Sequence, residues 1–136
     1  MKTLNFLLVL FIIMSFNISC NAQAGNEDNR AKISKTDKVE VFYFHYTRRC
    51  VTCQAVENES KKAVEELYGG KVSFAGYNLE ESSGEQKGQD LGVSGQSLLI
   101  VKGDTKINIT NEGFMNARNN PEKLKEIIKE IIDPLL

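Results

Sequence analysis

The chain has 136 residues, 41% of them hydrophobic, and a formal net charge of −1. That is enough for one domain of ordinary size, roughly 100–150 residues, behind a short leader. The basic residues are scattered along the chain, which leaves nucleic-acid binding without an electrostatic footprint.

Lys2 supplies a positive start, and Leu4 to Ile18 form an apolar run broken only by Asn5, Ser15 and Asn17. This run is shorter than the roughly 20 apolar residues of a membrane span and fits the hydrophobic region of a secretory signal, so residues 1–20 are read as a signal peptide. Two processing sites compete. Ile18-Ser19-Cys20 resembles the end of a bacterial lipobox, with cleavage before Cys20 and lipid attachment to it; Asn17 departs from the apolar residue usual at that position. Ala22-Gln23-Ala24 fits ordinary cleavage after Ala24. Of three cysteines, Cys50 and Cys53 form a pair, and lipidation accounts for Cys20 as the one left over. Both routes export the protein, and the first tethers it to a membrane facing the periplasm. Residues 21–37 are polar, with Ile33 their one large apolar residue, and read as a flexible linker.

The folded domain is expected over 38–136. Val39 to Tyr46 is rich in β-branched and aromatic residues and nearly continuously apolar from Val41, which predicts a strand buried on both faces. From Cys50 to Tyr68 the spacing turns helical, with Ala55, Val56, Ala63, Val64 and Leu67 on one face, and Gly69-Gly70 ends it. Lys71 to Leu79 is a second strand. The polar segment from Glu80 leads into a short helix ending near Gly92. Ser97 to Val101 and Lys106 to Thr110 are strands around the turn at Gly103-Asp104. Gly113-Phe114-Met115 is expected in a loop, as a packing anchor or a docking patch. Asn120 as N-cap and Pro121 at the first helical position open a final helix, whose Leu124, Ile127, Ile128, Ile131 and Ile132 recur at helical spacing. The order β-α-β-α-β-β-α describes a single α/β domain with a central mixed sheet and flanking helices.

Cys50-Val51-Thr52-Cys53 follows the buried strand directly and opens a helix, a context that gives C-x-x-C more weight than the bare motif. There the first sulfur meets unpaired backbone N–H groups and the positive end of the helix dipole, both of which favour the thiolate. Arg48 and Arg49 are expected to push the same way. Cys50 is then the attacking thiol and Cys53 the resolving one. A structural disulfide over so short a loop would stabilise little. Zinc would want four ligands where His45 is the one further candidate, so no metal site is expected. Capture of a soft metalloid by the dithiol is the competing chemistry. His45, near the strand's C-terminal end, is a candidate for proton transfer.

The Cys50-x-x-Cys53 motif and the segment Leu91-Gly-Val-Ser-Gly-Gln-Ser-Leu-Leu-Ile-Val-Lys102 resemble the thioredoxin superfamily. Phe44-His-Tyr-Thr-Arg-Arg-Cys-Val-Thr-Cys-Gln-Ala-Val-Glu57, Val93-Ser-Gly-Gln-Ser97 and Asn111-Glu-Gly-Phe-Met115 more narrowly resemble exported bacterial proteins of the nitrophenyl compound nitroreductase subunit, ArsF family. The resemblance implies a thioredoxin-like fold and a link to arsenic resistance. It also implies a protein redox partner, with a membrane disulfide-reductant transporter as one candidate. Two positions depart from ordinary thioredoxin. The position where the superfamily carries a cis-proline is either held by Ser97 or deleted; a non-proline cis bond costs about 2.5–4 kcal/mol, so a trans peptide is expected. The buried acid of the first strand falls at about Phe44, leaving His45 or water to replace it. No flavin-binding signature is present, and no cofactor is expected.

Overall fold

The computed structural model describes residues 37–136. The signal segment, Cys20 and residues 21–36 of the linker lie outside the described residues. Four strands, β1 (Glu40–His45), β2 (Ser73–Asn78), β3 (Ser97–Lys102) and β4 (Thr105–Asn108), form one sheet in the order β2-β1-β3-β4. β1 runs parallel to β2 and antiparallel to β3, and β3 pairs antiparallel with β4. Helix α1 (Val51–Tyr68) makes the crossover between the parallel strands, α2 (Ser82–Leu91) joins β2 to β3, and α3 (Thr110–Asn116) and α4 (Pro121–Ile132) follow β4.

Strand β1 has a neighbour on each side and helices above and below, which is why its apolar run is continuous rather than alternating. Val39, just before it, and its odd-numbered residues Val41 and Tyr43 enter one core with Val56, Val64, Leu98, Ile100, Leu124, Ile128 and Ile132. Phe42 and Phe44 point the other way, into a smaller core with Leu91, Leu99 and Val101. Burying side chains of this size stabilises by roughly 1.5–3 kcal/mol each. The second face carries less apolar material and finishes with Lys87, whose ammonium sits 4.5 Å over the Phe42 ring.

Helix α4 forms as its stripe predicts. Asn120 caps it by accepting the Lys123 N–H at 3.2 Å, with Pro121 in the first turn. Leu124, Ile128 and Ile132 are fully buried, while Ile127 and Ile131 flank them half-buried. Along α1 the buried line is Cys53, Val56, Ser60, Ala63 and Val64. Ser60 joins it although polar, and Leu67 stays half-buried at the edge.

The loop expected around Gly113 is instead the helix α3. Asn108 starts it by accepting both the Thr110 N–H, at 3.0 Å, and the Thr110 hydroxyl, at 2.6 Å. That ends β4 at Asn108, two residues earlier than the apolar pattern suggests. Glycine at 113 disfavours a helix on propensity, but lets it close on Leu98 and Val56: a Cβ there would stand 3.1 and 3.2 Å from their side chains. Packing outweighs propensity in this segment.

Candidate active site

Every peptide bond among the described residues is trans, including the one before Ser97. The strand-to-helix passage from Tyr46 to Cys50 is pinned at several points. The Tyr46 hydroxyl donates to the Ser94 carbonyl at 3.3 Å. The Thr47 N–H donates to Glu80 Oε2 at 2.7 Å, and the Asn78 side-chain amide donates to Thr47 Oγ1 at 3.0 Å. Thr47, through its side chain first and its N–H second, holds the Glu80 carboxyl below the usual carboxylate range, and the bonds together fix where the first cysteine emerges.

Cys50 is the N-cap of α1, in extended conformation, and its sulfur accepts the Cys53 N–H at 3.3 Å. Both cysteines are free thiols, Cys50 exposed and Cys53 buried, with their sulfurs 2.7 Å apart. The Cys50 thiol lies below its ordinary range. The Cys53 side chain is the largest cause, followed by the N–H groups of Cys53, Thr52 and Cys50 itself. The charge that would form on Cys50 is therefore met by the helix end.

The arginines stand differently from one another. Arg49 forms an ion pair with Glu57, both side chains being partly buried, so its guanidinium is directed along the helix. Arg48 is exposed. His45 ends β1 with its Nδ1 3.0 Å from the Tyr46 carbonyl and its ring tilted against Tyr43 at 5.9 Å. A carbonyl only accepts, so that bond needs the proton on Nδ1. The hydrogen bonds of His45 do not reach either thiol.

Two residues near Cys53 are absent from the sequence-based expectation. The first is Gln96, whose amide nitrogen is 3.5 Å and amide oxygen 3.8 Å from Cys53 Sγ. Ser97 begins β3, and its hydroxyl donates to the Gly95 carbonyl at 3.0 Å. At the position read as the cis-proline site, the contact with the dithiol thus falls to the residue before it. The second is Tyr43. Alternation along β1 places it, rather than Phe44, on the face toward α1, while Phe44 belongs to the opposite core. The strand position facing the dithiol is therefore one residue earlier than expected, and a phenol occupies it. Its hydroxyl is buried without a hydrogen-bond partner among the described residues. Its pKa is pushed up, first by burial and then by the neighbouring Cys53 and Glu57, with Arg49 opposing.

Beside Gln96 opens a cleft of about 480 Å³ between the α2–β3 loop and β4, with Val93, Ser94, Ser97, Lys106 and Asn108 among its lining. The Lys106 ammonium is turned to the Leu91 carbonyl at 2.9 Å. Among the described residues no three His, Cys, Asp or Glu side chains converge as metal ligands, and no helix is long and apolar enough to cross a membrane.

A central mixed sheet with a parallel β-α-β crossover and flanking helices has the thioredoxin-like fold, and the C-x-x-C stands at the N-terminus of the crossover helix. Solved structures agree on the fold. Thioredoxin O2 from Arabidopsis thaliana in its oxidised state superimposes with a TM-score of 0.51 and 20% identity, over 69% of this chain and 75% of that one. Chloroplastic thioredoxin z gives 0.52 and 21%, over 74% and 84%. No protein-family model and no curated protein matches the sequence.

Proposed function

We propose that the chain is an exported thiol:disulfide oxidoreductase or electron carrier working through Cys50 and Cys53. The observation that carries this reading is the asymmetry of the pair: an exposed thiol of lowered pKa on a helix N-terminus, with a buried thiol 2.7 Å away. The Cys50 thiolate attacks a substrate disulfide, forming a mixed disulfide and releasing one substrate thiolate. Cys53 then loses its proton and attacks Cys50 Sγ, closing the intramolecular disulfide and releasing the second substrate thiolate. A dithiol donor, such as a membrane redox partner, returns the pair to the reduced form.

The apolar leader and Cys20 support delivery beyond the cytoplasm and tethering by lipid at Cys20, and the sequence resemblance supports a connection with arsenic resistance. Incorporation of labelled fatty acid into the full chain, lost in Cys20→Ala, tests the tether. Reduction of insulin or a small aromatic disulfide, with a dithiol reductant supplied, tests the chemistry. Turnover that disappears in Cys50→Ser is expected. Arsenite binding without any disulfide turnover would overturn the proposal in favour of a metalloid-binding dithiol.

A further inference from the structure

The resolving step leaves a chemical requirement open. Cys53 is buried, 4% exposed, and must shed a proton before it attacks. Its sulfur touches Gln96, a neutral amide that takes no proton away. One helical turn further along α1, on the same side, stands Glu57. Its carboxyl reaches across to β2 and occupies the space above Gly76, where a Cβ would collide with Glu57 Oε1. Gly76 pairs in register with Tyr43, so the missing side chain opens a niche beside the orphaned phenol. Arg49 pairs with the other carboxylate oxygen and offsets the cost of holding an anion there. The Glu57 side chain keeps 23% of its surface exposed, which leaves it a route to water.

We propose that Glu57, seated over Gly76 and oriented by Arg49, is the proton acceptor for Cys53, with the Tyr43 hydroxyl lining the path between them. This rests on the oxidoreductase reading and adds a residue to it. In the step, the Cys53 S–H bond breaks and its proton passes to the Glu57 carboxylate. The sulfur's electron pair forms the bond to Cys50 Sγ while the bond from Cys50 to the substrate sulfur breaks. The substrate leaves as a thiolate, and Glu57 returns its proton to solvent through its open edge. The titratable and charged groups that face Cys53 and its acceptor are Cys50 at the N-cap of α1, Glu57 itself on α1, Arg49 before the helix, and Tyr43 on β1 with His45 against its ring. β3 contributes neutral Gln96.

The test is stopped-flow release of the coloured thiolate from an aromatic disulfide reagent by the reduced chain. The first equivalent reports attack by Cys50 and the second reports resolution by Cys53. Glu57→Gln keeps size and polarity; it is expected to leave the first phase within about twofold and slow the second roughly tenfold or more near neutral pH. The deficit should close as pH rises, because hydroxide then takes the proton. Gly76→Ala should give the same phenotype with Glu57 present, since its methyl meets the movable end of that side chain and not backbone. A second phase with wild-type rate and pH profile in both variants would overturn the assignment. Failure of the unmodified chain to release a second equivalent would overturn the oxidoreductase reading beneath it.

Discussion

The Gln96 side-chain amide lies 3.5 Å from the sulfur of Cys53, across 43 residues of sequence. An N–H aimed at a thiol sulfur favours the reduced pair, because a thiol or thiolate accepts a hydrogen bond better than a disulfide does. Gln96→Leu keeps the bulk and removes the donor. With a neutral hydrogen bond worth about 1 kcal/mol and about 30 mV corresponding to 1.4 kcal/mol, the reduction potential should fall by about 20 mV. Equilibration against a dithiol redox buffer measures it; an unchanged or raised potential would show that Gln96 does not favour the reduced state.

The exposed thiol owes its lowered pKa first to Cys53 and then to backbone N–H groups. Alkylation of Cys50 should therefore show a midpoint below the roughly 8.5 of a free thiol. Cys53→Ala removes the first cause and should move the midpoint up, whereas Cys53→Ser, which keeps a hydroxyl donor, should move it less. Arg49→Gln should move it little, because that guanidinium is engaged with Glu57. Rates of iodoacetamide modification against pH decide among these.

The loop that delivers Cys50 depends on Glu80 accepting the Thr47 N–H. The folded pKa of Glu80 is depressed by Thr47, first through its side chain and then through that N–H bond, so the contribution is present above the unfolded carboxylate value of about 4.3 and is lost as pH falls through the folded one. Amide exchange at Thr47, corrected for its intrinsic pH dependence, should lose protection in acid. Glu80→Gln should show reduced protection at neutral pH and no acid-dependent loss there.

Gly84 on α2 is buried against the backbone of Asn78. An added methyl would meet the Asn78 carbonyl oxygen, and a main chain cannot step aside as a side chain can. Gly84→Ala should cost about 1–3 kcal/mol and lower the midpoint of urea unfolding. Because Asn78 also binds Thr47, it should also slow the reaction of Cys50. Gly113→Val, which presses on Leu98 and Val56 from the other face, should destabilise by a similar amount. Unaltered urea midpoints would contradict the packing described.

Much of this protein follows from local pattern. The apolar run of β1, the stripe of α4 with its Asn120 cap, and a C-x-x-C between strand and helix are short-range features, and they specify the elements and the dithiol. Helix α3 escaped the pattern because its stability comes from contact with Val56 and Leu98, over a glycine that argues against a helix. The pairing of Arg49 with Glu57 was hidden for a related reason. Two arginines beside a cysteine read as support for its thiolate, and only the path of α1 over β2 shows where one of them goes.

The sequence by itself determined the chemistry: two sulfurs, their spacing, and their place at a helix start, because these are properties of adjacent residues. Tertiary structure decided what surrounds the buried sulfur. Whether Tyr43 or Phe44 faces the dithiol turns on the alternation of a strand whose two faces are both apolar, a difference composition cannot show. Gly76 comes to Glu57 through the pairing of β2 with β1, and Gln96 comes to Cys53 at the start of β3, which pairs with β1; long-range register leaves no mark in the local sequence.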